Sequence, residues 1–158
     1  TNIFDSSSFT LFIVKKRNND VNMMVFASTQ AAPSQGLLIG DFQTSARYDV
    51  GMVAVSDQFT TAGTSTLTTE IISISYIKSG PLATIRSNGK DLDLSPNNTA
   101  MTDPGSSAIL NIGRYGNGSQ FYNGEIAEVV AFKRALPVAA VRSLERYFAN
   151  RYGVPGIT

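Results

Sequence analysis

The sequence predicts an all-β protein, a two-sheet antiparallel β-sandwich with one C-terminal α-helix. About nine short β-rich segments follow one another with turn residues between them. Only the C-terminal segment carries apolar residues at helical spacing, and no strand alternates with a helix, which argues against an α/β fold. The 158 residues suit a single domain, which we expect to span residues 1–158.

The first half of the chain contains four predicted strands separated by polar residues. Their positions are 9–14, 23–27, 37–39 and 47–55, the last of them interrupted at Gly51. Residues 56–69 are rich in Thr and Ser and are predicted to form a loop.

The clearest strand is predicted at 71–78, where apolar and serine residues alternate. Period two places Ile72, Ile74 and Tyr76 on one buried face and leaves the serines on the other. A strand at 83–87 then reaches Asn88-Gly89, a strong type I′ turn signal, and Leu92 and Leu94 alternate with aspartates in the returning strand.

The last third is predicted to hold two strands and the helix. The strands lie at 109–112 and 126–132, with turns at Asn117-Gly118 and Asn123-Gly124. The helix is expected over about 137–152, with Pro137 in its first turn and Gly153 as its left-handed stop. One face of this helix is apolar at spacings of three and four: Val141, Leu144, Phe148 and Tyr152.

Composition excludes several classes of function. Net charge is +1 and charged residues are only 16%, so the chain offers no concentrated basic field for nucleic acid. The basic run Lys15-Lys16-Arg17 is interpreted as a solvated strand end. No segment has the ~18 apolar residues of a membrane span. The absence of Cys and His removes disulfides, zinc sites of that type and His-dependent catalysis.

The C-terminal third carries a family resemblance. Residues 124–136 read Gly-Glu-Ile-Ala-Glu-Val-Val-Ala-Phe-Lys-Arg-Ala-Leu and resemble the closing strand of laminin-G-like jelly-roll domains. Residues 145–154, Glu-Arg-Tyr-Phe-Ala-Asn-Arg-Tyr-Gly-Val, resemble the helix that ends the bacterial and phage version. Weaker similarity covers residues 8–16, and Ile112-Gly113 with residues 121–124. The resemblance implies a concanavalin A-like lectin fold and a domain that is not an enzyme.

The sequence departs from that family at its N-terminal side. Family members usually carry an edge strand before the strand that corresponds to 9–14, and only eight residues precede Phe9 here. Either this sandwich lacks an edge strand, or another chain or a removed N-terminal segment supplies it. Because an exposed apolar edge promotes association, we expect the domain to belong to an oligomer or a larger assembly.

Two glutamates test whether the domain is a glycoside hydrolase. Family-16 glucanases share the β-sandwich fold. Their active site resembles the pattern Glu-x-Asp-x-(x)-Glu, with the three carboxylates on one face of a single strand. Here Ala127 stands where the Asp is needed, and Glu125 and Glu128, three apart, would face opposite sides of a regular strand. We therefore expect Glu128 to make a structural hydrogen bond or ion pair at the sheet edge.

Two loop regions are candidate binding sites. Asp91, Asp93 and Asp103, with Asn97 and Asn98 between them, are oxygen ligands of the kind that calcium prefers, and many laminin-G-like domains hold calcium at the sandwich rim. The glycine-rich stretch 114–124 combines aromatic rings with amides, as sugar sites do. Its candidate ligand-binding residues are Tyr115, Asn117, Tyr122 and Asn123, with Phe121 beside them; the alternative is a hairpin whose aromatics cover the core.

Three functions follow as hypotheses. The favoured one is a structural or adhesion component of a phage virion or an extracellular bacterial assembly, at the virion surface or outside the cell, with glycan or surface-protein partners. The second is an autonomous carbohydrate-binding module of a secreted protein. A glycoside hydrolase is the third, disfavoured by Ala127.

Overall fold

The fold is described by a computed structural model. It describes residues 8–18, 23–29, 36–43, 48–49, 52–54, 57–59, 67–77, 82–92, 109–114 and 121–158. In this part of the chain the protein is mostly β with one C-terminal helix, as predicted. The strands are β1 (Phe9–Arg17), β2 (Met23–Thr29), β3 (Gly36–Gln43), β4 (Tyr48–Asp49), β5 (Met52–Ala54), β6 (Asp57–Phe59), β7 (Glu70–Ile77), β8 (Leu82–Ser87), β9 (Lys90–Asp91), β10 (Ile109–Ile112) and β11 (Gly124–Phe132), and the helix is α1 (Val138–Tyr152).

The described strands form three antiparallel sheets. The largest has the order β11-β1-β7-β8-β9, a second has the order β10-β2-β3-β4, and β5 pairs with β6. The strand predicted at 47–55 with an interruption corresponds to β4 and β5. The prediction of a loop over 56–69 was wrong in part, since this range contains β6.

The two central strands of the five-stranded sheet, β1 and β7, are mostly buried on both faces. The first face carries the apolar side chains of Leu11, Ile13, Ile72, Ile74 and Ile85, each fully buried. The second face is covered by α1, which packs Val141 and Phe148 onto Phe12, Val14 and Ile71. The prediction of one buried face for β7 was therefore wrong, since Ser73 on the second face is only 1% exposed.

The basic run at the end of β1 is also more buried than predicted. Lys15 is 2% exposed, and its Nζ lies 3.4 Å from Oε2 of Glu70, the residue opposite it on β7. Arg17 is 9% exposed. The interpretation of this run as a solvated strand end therefore fails for Lys15 and Arg17. Pairing with an acid on the next strand is what allows the Lys15 ammonium to be buried.

Helix α1 begins and ends where its sequence signals predict. Pro137 is the N-cap residue, and Gly153 adopts a left-handed conformation with φ 68°. The Gly153 N–H donates to the carbonyl of Ala149, which satisfies a carbonyl of the last turn. Within the described residues, no helix is both long and apolar enough to cross a membrane.

Three Asn-Gly pairs were predicted as turns. Asn117-Gly118 lies outside the described residues, and the other two behave differently. Asn88 and Gly89 have φ values of 46° and 77°, so the β8–β9 hairpin turns through two left-handed residues as expected. Gly124 instead begins β11 opposite Arg17. A Cβ at Gly124 would lie 2.2 Å from the Lys16 carbonyl oxygen, so glycine is required there for close backbone approach.

Candidate functional site

A pocket of about 580 Å³ lies between the β8–β9 hairpin, helix α1 and the C-terminal segment. We call it the hairpin–helix pocket. Its walls are polar for the most part. The hairpin contributes Arg86, Asn88, Gly89, Lys90 and Asp91, the helix contributes Arg142, Glu145 and Arg146, and the last three residues are Gly156, Ile157 and Thr158.

The floor of the pocket is an ion pair between the sheet and the helix. Arg86 Nε donates to Glu145 Oε1 at 2.9 Å, and Nη2 donates to Oε2 at 3.2 Å. Ser73 Oγ donates to the same Oε1 at 2.6 Å. The two charged side chains are 8% and 2% exposed. The hydrogen bond that Arg86 donates to Glu145 raises the pKa of Arg86 above its usual range, so this arginine is a fixed cation.

The remaining donors of Arg86 hold the hairpin in shape. Nη1 donates to Asp91 Oδ1, and Nη2 also donates to the carbonyl of Gly89. Asn88 ties the turn to β7, because its Oδ1 accepts from the Ile71 N–H at 2.8 Å and its own N–H donates to the Ile71 carbonyl. These bonds leave the hairpin wall of the pocket ordered before any ligand arrives, which reduces the entropy lost on binding.

The C-terminal segment forms the third wall. Ile157 packs against the apolar cluster beneath the helix, and its Cγ2 would lie 3.3 Å from a Cβ at Gly89. Gly89 therefore serves two purposes, since its φ is left-handed and its missing side chain lets the C-terminal segment approach the turn.

The rim of the pocket carries three cationic side chains that are not part of the Arg86–Glu145 ion pair. Lys90, Arg142 and Arg146 are exposed, and Arg146 Nη2 donates only to the Ser143 hydroxyl at 3.2 Å. Both acidic side chains of the lining, Asp91 and Glu145, are bonded to Arg86. The pocket therefore presents free N–H donors on a positively charged rim.

The structure separates this pocket from the residues predicted to bind a ligand. Tyr122 and Asn123 precede β11, at the opposite edge of the same sheet from the hairpin. Three strand spacings lie between β11 and β8, which is roughly 14 Å. Tyr115 and Asn117 lie outside the described residues, so whether the four come together stays a prediction.

Backbone contacts fix the described part of that predicted site. The Tyr122 N–H donates to the Gly113 carbonyl at 2.8 Å, which joins the end of β10 to the start of β11. The Asn18 N–H donates to the Asn123 carbonyl at 2.9 Å. Phe121 beside them is 64% exposed, so one aromatic ring of the predicted set is accessible for stacking.

The calcium prediction is not tested by the described residues. Asp91 accepts from Arg86, while Asp93 and Asp103 lie outside the part of the chain that is described. Among the described residues, no three acidic side chains come together in a way that could hold a metal ion. Calcium at Asp91, Asp93 and Asp103 remains a prediction.

The two glutamates of β11 lie differently from the regular-strand expectation. The register shifts between Val14 and Lys15, so Ala127 has no partner on β1. Glu125 is then opposite Lys16 and Glu128 is opposite Val14, two residues apart on β1, which puts both glutamates on the same side of the sheet. The predicted opposite orientation was wrong because a β-bulge reverses the alternation.

Glu128 nevertheless has the structural role expected of it. Its Oε2 accepts a hydrogen bond of 2.7 Å from the Tyr152 hydroxyl, and Arg151 Nε lies 3.8 Å from the same oxygen. Strand β11 is the edge of its sheet, so this contact ties the edge to the last turn of α1.

The Tyr152–Glu128 bond predicts a pH dependence. The bond to the carboxylate, aided by desolvation, raises the pKa of Tyr152 above its ordinary value of 10.0. A group whose folded pKa is raised stabilises the fold below the unfolded pKa and loses that contribution as pH rises through the folded pKa. Subtracting the tyrosinate absorbance of Tyr152→Phe from that of the wild type isolates the titration of Tyr152. We expect the midpoint of this difference to lie above pH 10.0. In Glu128→Leu the same difference should titrate at lower pH; an unchanged midpoint would contradict the assignment.

Comparison with solved structures places the fold among lectin-like β-sandwich domains. A native heptameric SAP-like pentraxin from Limulus polyphemus aligns with a TM-score of 0.66 and 15% identity over 85% of this chain and 68% of that one. The CBM40 of Ruminococcus gnavus IT-sialidase, bound to α2,3-sialyllactose, aligns with a TM-score of 0.67 and 13% identity over 88% and 82% of the two chains. A Trypanosoma rangeli sialidase aligns at 0.63 and 15% identity over 89% of this chain but only 23% of its own.

These similarities establish the fold class. No protein-family model and no curated protein matches the sequence. The structural matches confirm the β-sandwich fold that the sequence predicted.

The hairpin–helix pocket was not predicted from the sequence, although one signal for it was present. Glu145 lies on the apolar face of α1, four residues after Val141 and three before Phe148. A carboxylate among core positions requires a cationic or hydrogen-bonding partner on the opposing element. Arg86 next to the Asn88-Gly89 turn was the available candidate, but the pairing spans 59 residues and no local pattern indicates it.

Proposed function

We propose that this chain is a non-enzymatic, lectin-like domain that binds a glycan in the hairpin–helix pocket. The observation that carries the proposal is the pocket itself, whose volume of about 580 Å³ is within the range of small-ligand sites. Its lining offers ordered donors and acceptors, which suits a ligand rich in hydroxyl groups. The carbohydrate-binding domain among the fold relatives supports the same function.

The chemistry of the pocket favours binding over catalysis. Glycoside hydrolysis requires one carboxyl that can donate a proton and a second that acts as nucleophile or base. Both carboxylates of the lining accept charge-assisted bonds from Arg86, and Glu145 also accepts from Ser73. Neither is free to take part in proton transfer, and the chain has no histidine to replace them.

A role in a virion or an extracellular assembly is the finer part of the proposal. Leu110 and Ile112 on β10, an edge strand of the second sheet, are 53% and 51% exposed, while Asn111 between them is 6% exposed. Apolar side chains on an edge strand are suited to contact with another chain. Light scattering with and without calcium tests this role. A trimer, a larger species or obligate association supports assembly, and a stable monomer at high concentration supports an autonomous carbohydrate-binding module.

An array of neutral and acidic oligosaccharides tests glycan binding directly. We expect saturable binding with Kd values between about micromolar and millimolar. Lys90→Ala should weaken the binding, while Asn123→Ala, about 14 Å away by strand spacing, should leave it unchanged. Sugar release from the same oligosaccharides should be absent. Release that disappears in Glu128→Gln would instead establish a hydrolase.

A further inference from the structure

The hairpin–helix pocket has more cationic side chains than its acidic ones can neutralise. Four cations line it, namely Arg86, Lys90, Arg142 and Arg146, against the two acids Asp91 and Glu145. Arg86 occupies both acids through the bonds described above. Among the lining residues, Lys90, Arg142 and Arg146 therefore have no acidic partner.

The two helix arginines are placed to act together. Arg142 and Arg146 are four residues apart on α1, so their side chains emerge from neighbouring points on one face of the helix. Like charges at this spacing are mildly destabilising, and nothing on the described part of the helix compensates them. Guanidinium groups form forked pairs of N–H donors that match the geometry of carboxylate and sulfate oxygens.

Lys90 adds the third charge from the opposite wall. It follows Gly89 in the hairpin that Arg86 and Asn88 hold in place, so its backbone position is fixed while its side chain is exposed. An anion that enters between the hairpin and the helix would have cations on both sides. The Arg86 guanidinium below is engaged by the protein itself, because it donates to Asp91, Glu145 and the Gly89 carbonyl.

We propose that the hairpin–helix pocket is specific for an acidic glycan, with a sugar carboxylate or sulfate held between Lys90 and the pair Arg142 and Arg146. The inference rests on the proposed function, since it names the ligand class of that same site. Nucleic acid does not fit these observations, because the net charge is only +1.

Isothermal titration calorimetry with defined oligosaccharides tests the inference. The probes are trigalacturonic acid, a sulfated chondroitin tetrasaccharide and neutral maltotriose. The test variant is Arg142→Gln/Arg146→Gln, and the control Lys133→Gln/Arg134→Gln removes the same charge from an exposed segment. All four positions are exposed, so melting temperatures should stay close to that of the wild type.

We expect one of the two acidic probes to bind roughly tenfold more tightly than maltotriose, and the preference to weaken at high salt. The probe that binds more tightly identifies carboxylate or sulfate as the anion. The test variant should lose the preference, because its affinity for the acidic probe falls toward its affinity for maltotriose, and the control should keep it.

Three other results would overturn the inference. Equal affinity for acidic and neutral probes overturns it and leaves glycan binding intact. Inorganic sulfate or acetate that competes as well as the oligosaccharide shows a simple anion site and no glycan specificity. Absence of binding by all three probes, in a chain that also binds nothing on the array, overturns the proposed function together with the inference.

Discussion

Replacing Glu145 by alanine should lower the free energy of unfolding by about 3–5 kcal/mol, because it removes the buried counter-charge of the Arg86 guanidinium and leaves only the exposed Asp91 to pair with it. The same change removes the acceptor of the Ser73 hydroxyl, which is 1% exposed. Equilibrium urea unfolding, followed by far-ultraviolet circular dichroism, measures the loss.

A double-mutant cycle separates the ion pair from general damage to the helix. Arg86→Met alone should also destabilise the fold, whereas Arg86→Met/Glu145→Met should be more stable than either single variant. Removing both charges eliminates the uncompensated ion, and the buried pair itself contributes little net stability. Strict additivity of the two single losses would show that the residues do not interact in the folded state.

Phe148→Ala is the second substitution with a large expected effect, a loss of about 3–5 kcal/mol. Phe148 is 2% exposed and lies in the cluster that joins α1 to the five-stranded sheet. Its ring packs against that of Phe12, with 5.6 Å between the two ring centroids. Alanine there leaves a cavity that the sheet cannot fill by moving.

Tyr147→Ala is the matched control for that prediction. Tyr147 neighbours Phe148 on the same helix, but it is 51% exposed. Its loss should cost about 1 kcal/mol or less. Equal losses for the two variants in urea unfolding would mean that α1 does not cover the sheet through Phe148.

The elements that could be predicted from the sequence are those with local signals. Alternation at 72–76 located β7, and Asn88-Gly89 located the hairpin because only a few residues adopt φ values of 46° and 77° in succession. The helix was located within one residue, since its apolar spacing, Pro137 and Gly153 all act within a turn of its ends.

The features that could not be predicted depend on contacts between distant segments. Lys15 pairs with Glu70 and Ser73 with Glu145, so both polar side chains are buried. The basic run had predicted exposure for Lys15, and alternation had predicted it for Ser73. The bulge that leaves Ala127 unpaired is a property of the β1–β11 register and has no signal in β11 alone. The pocket has the same origin, because its three walls come from residues 86–91, 142–146 and 156–158.

Two-dimensional ¹H–¹⁵N NMR of the labelled chain, titrated with the oligosaccharide that binds most tightly on the array, tests the central claim most directly. We predict that the largest amide shift changes fall at the hairpin–helix pocket, on Gly89, Lys90, Arg142 and Arg146, and are absent from Phe121, Tyr122 and Asn123. Changes confined to residues 121–123, with the pocket unaffected, would contradict it and favour the rim loop that the sequence first indicated.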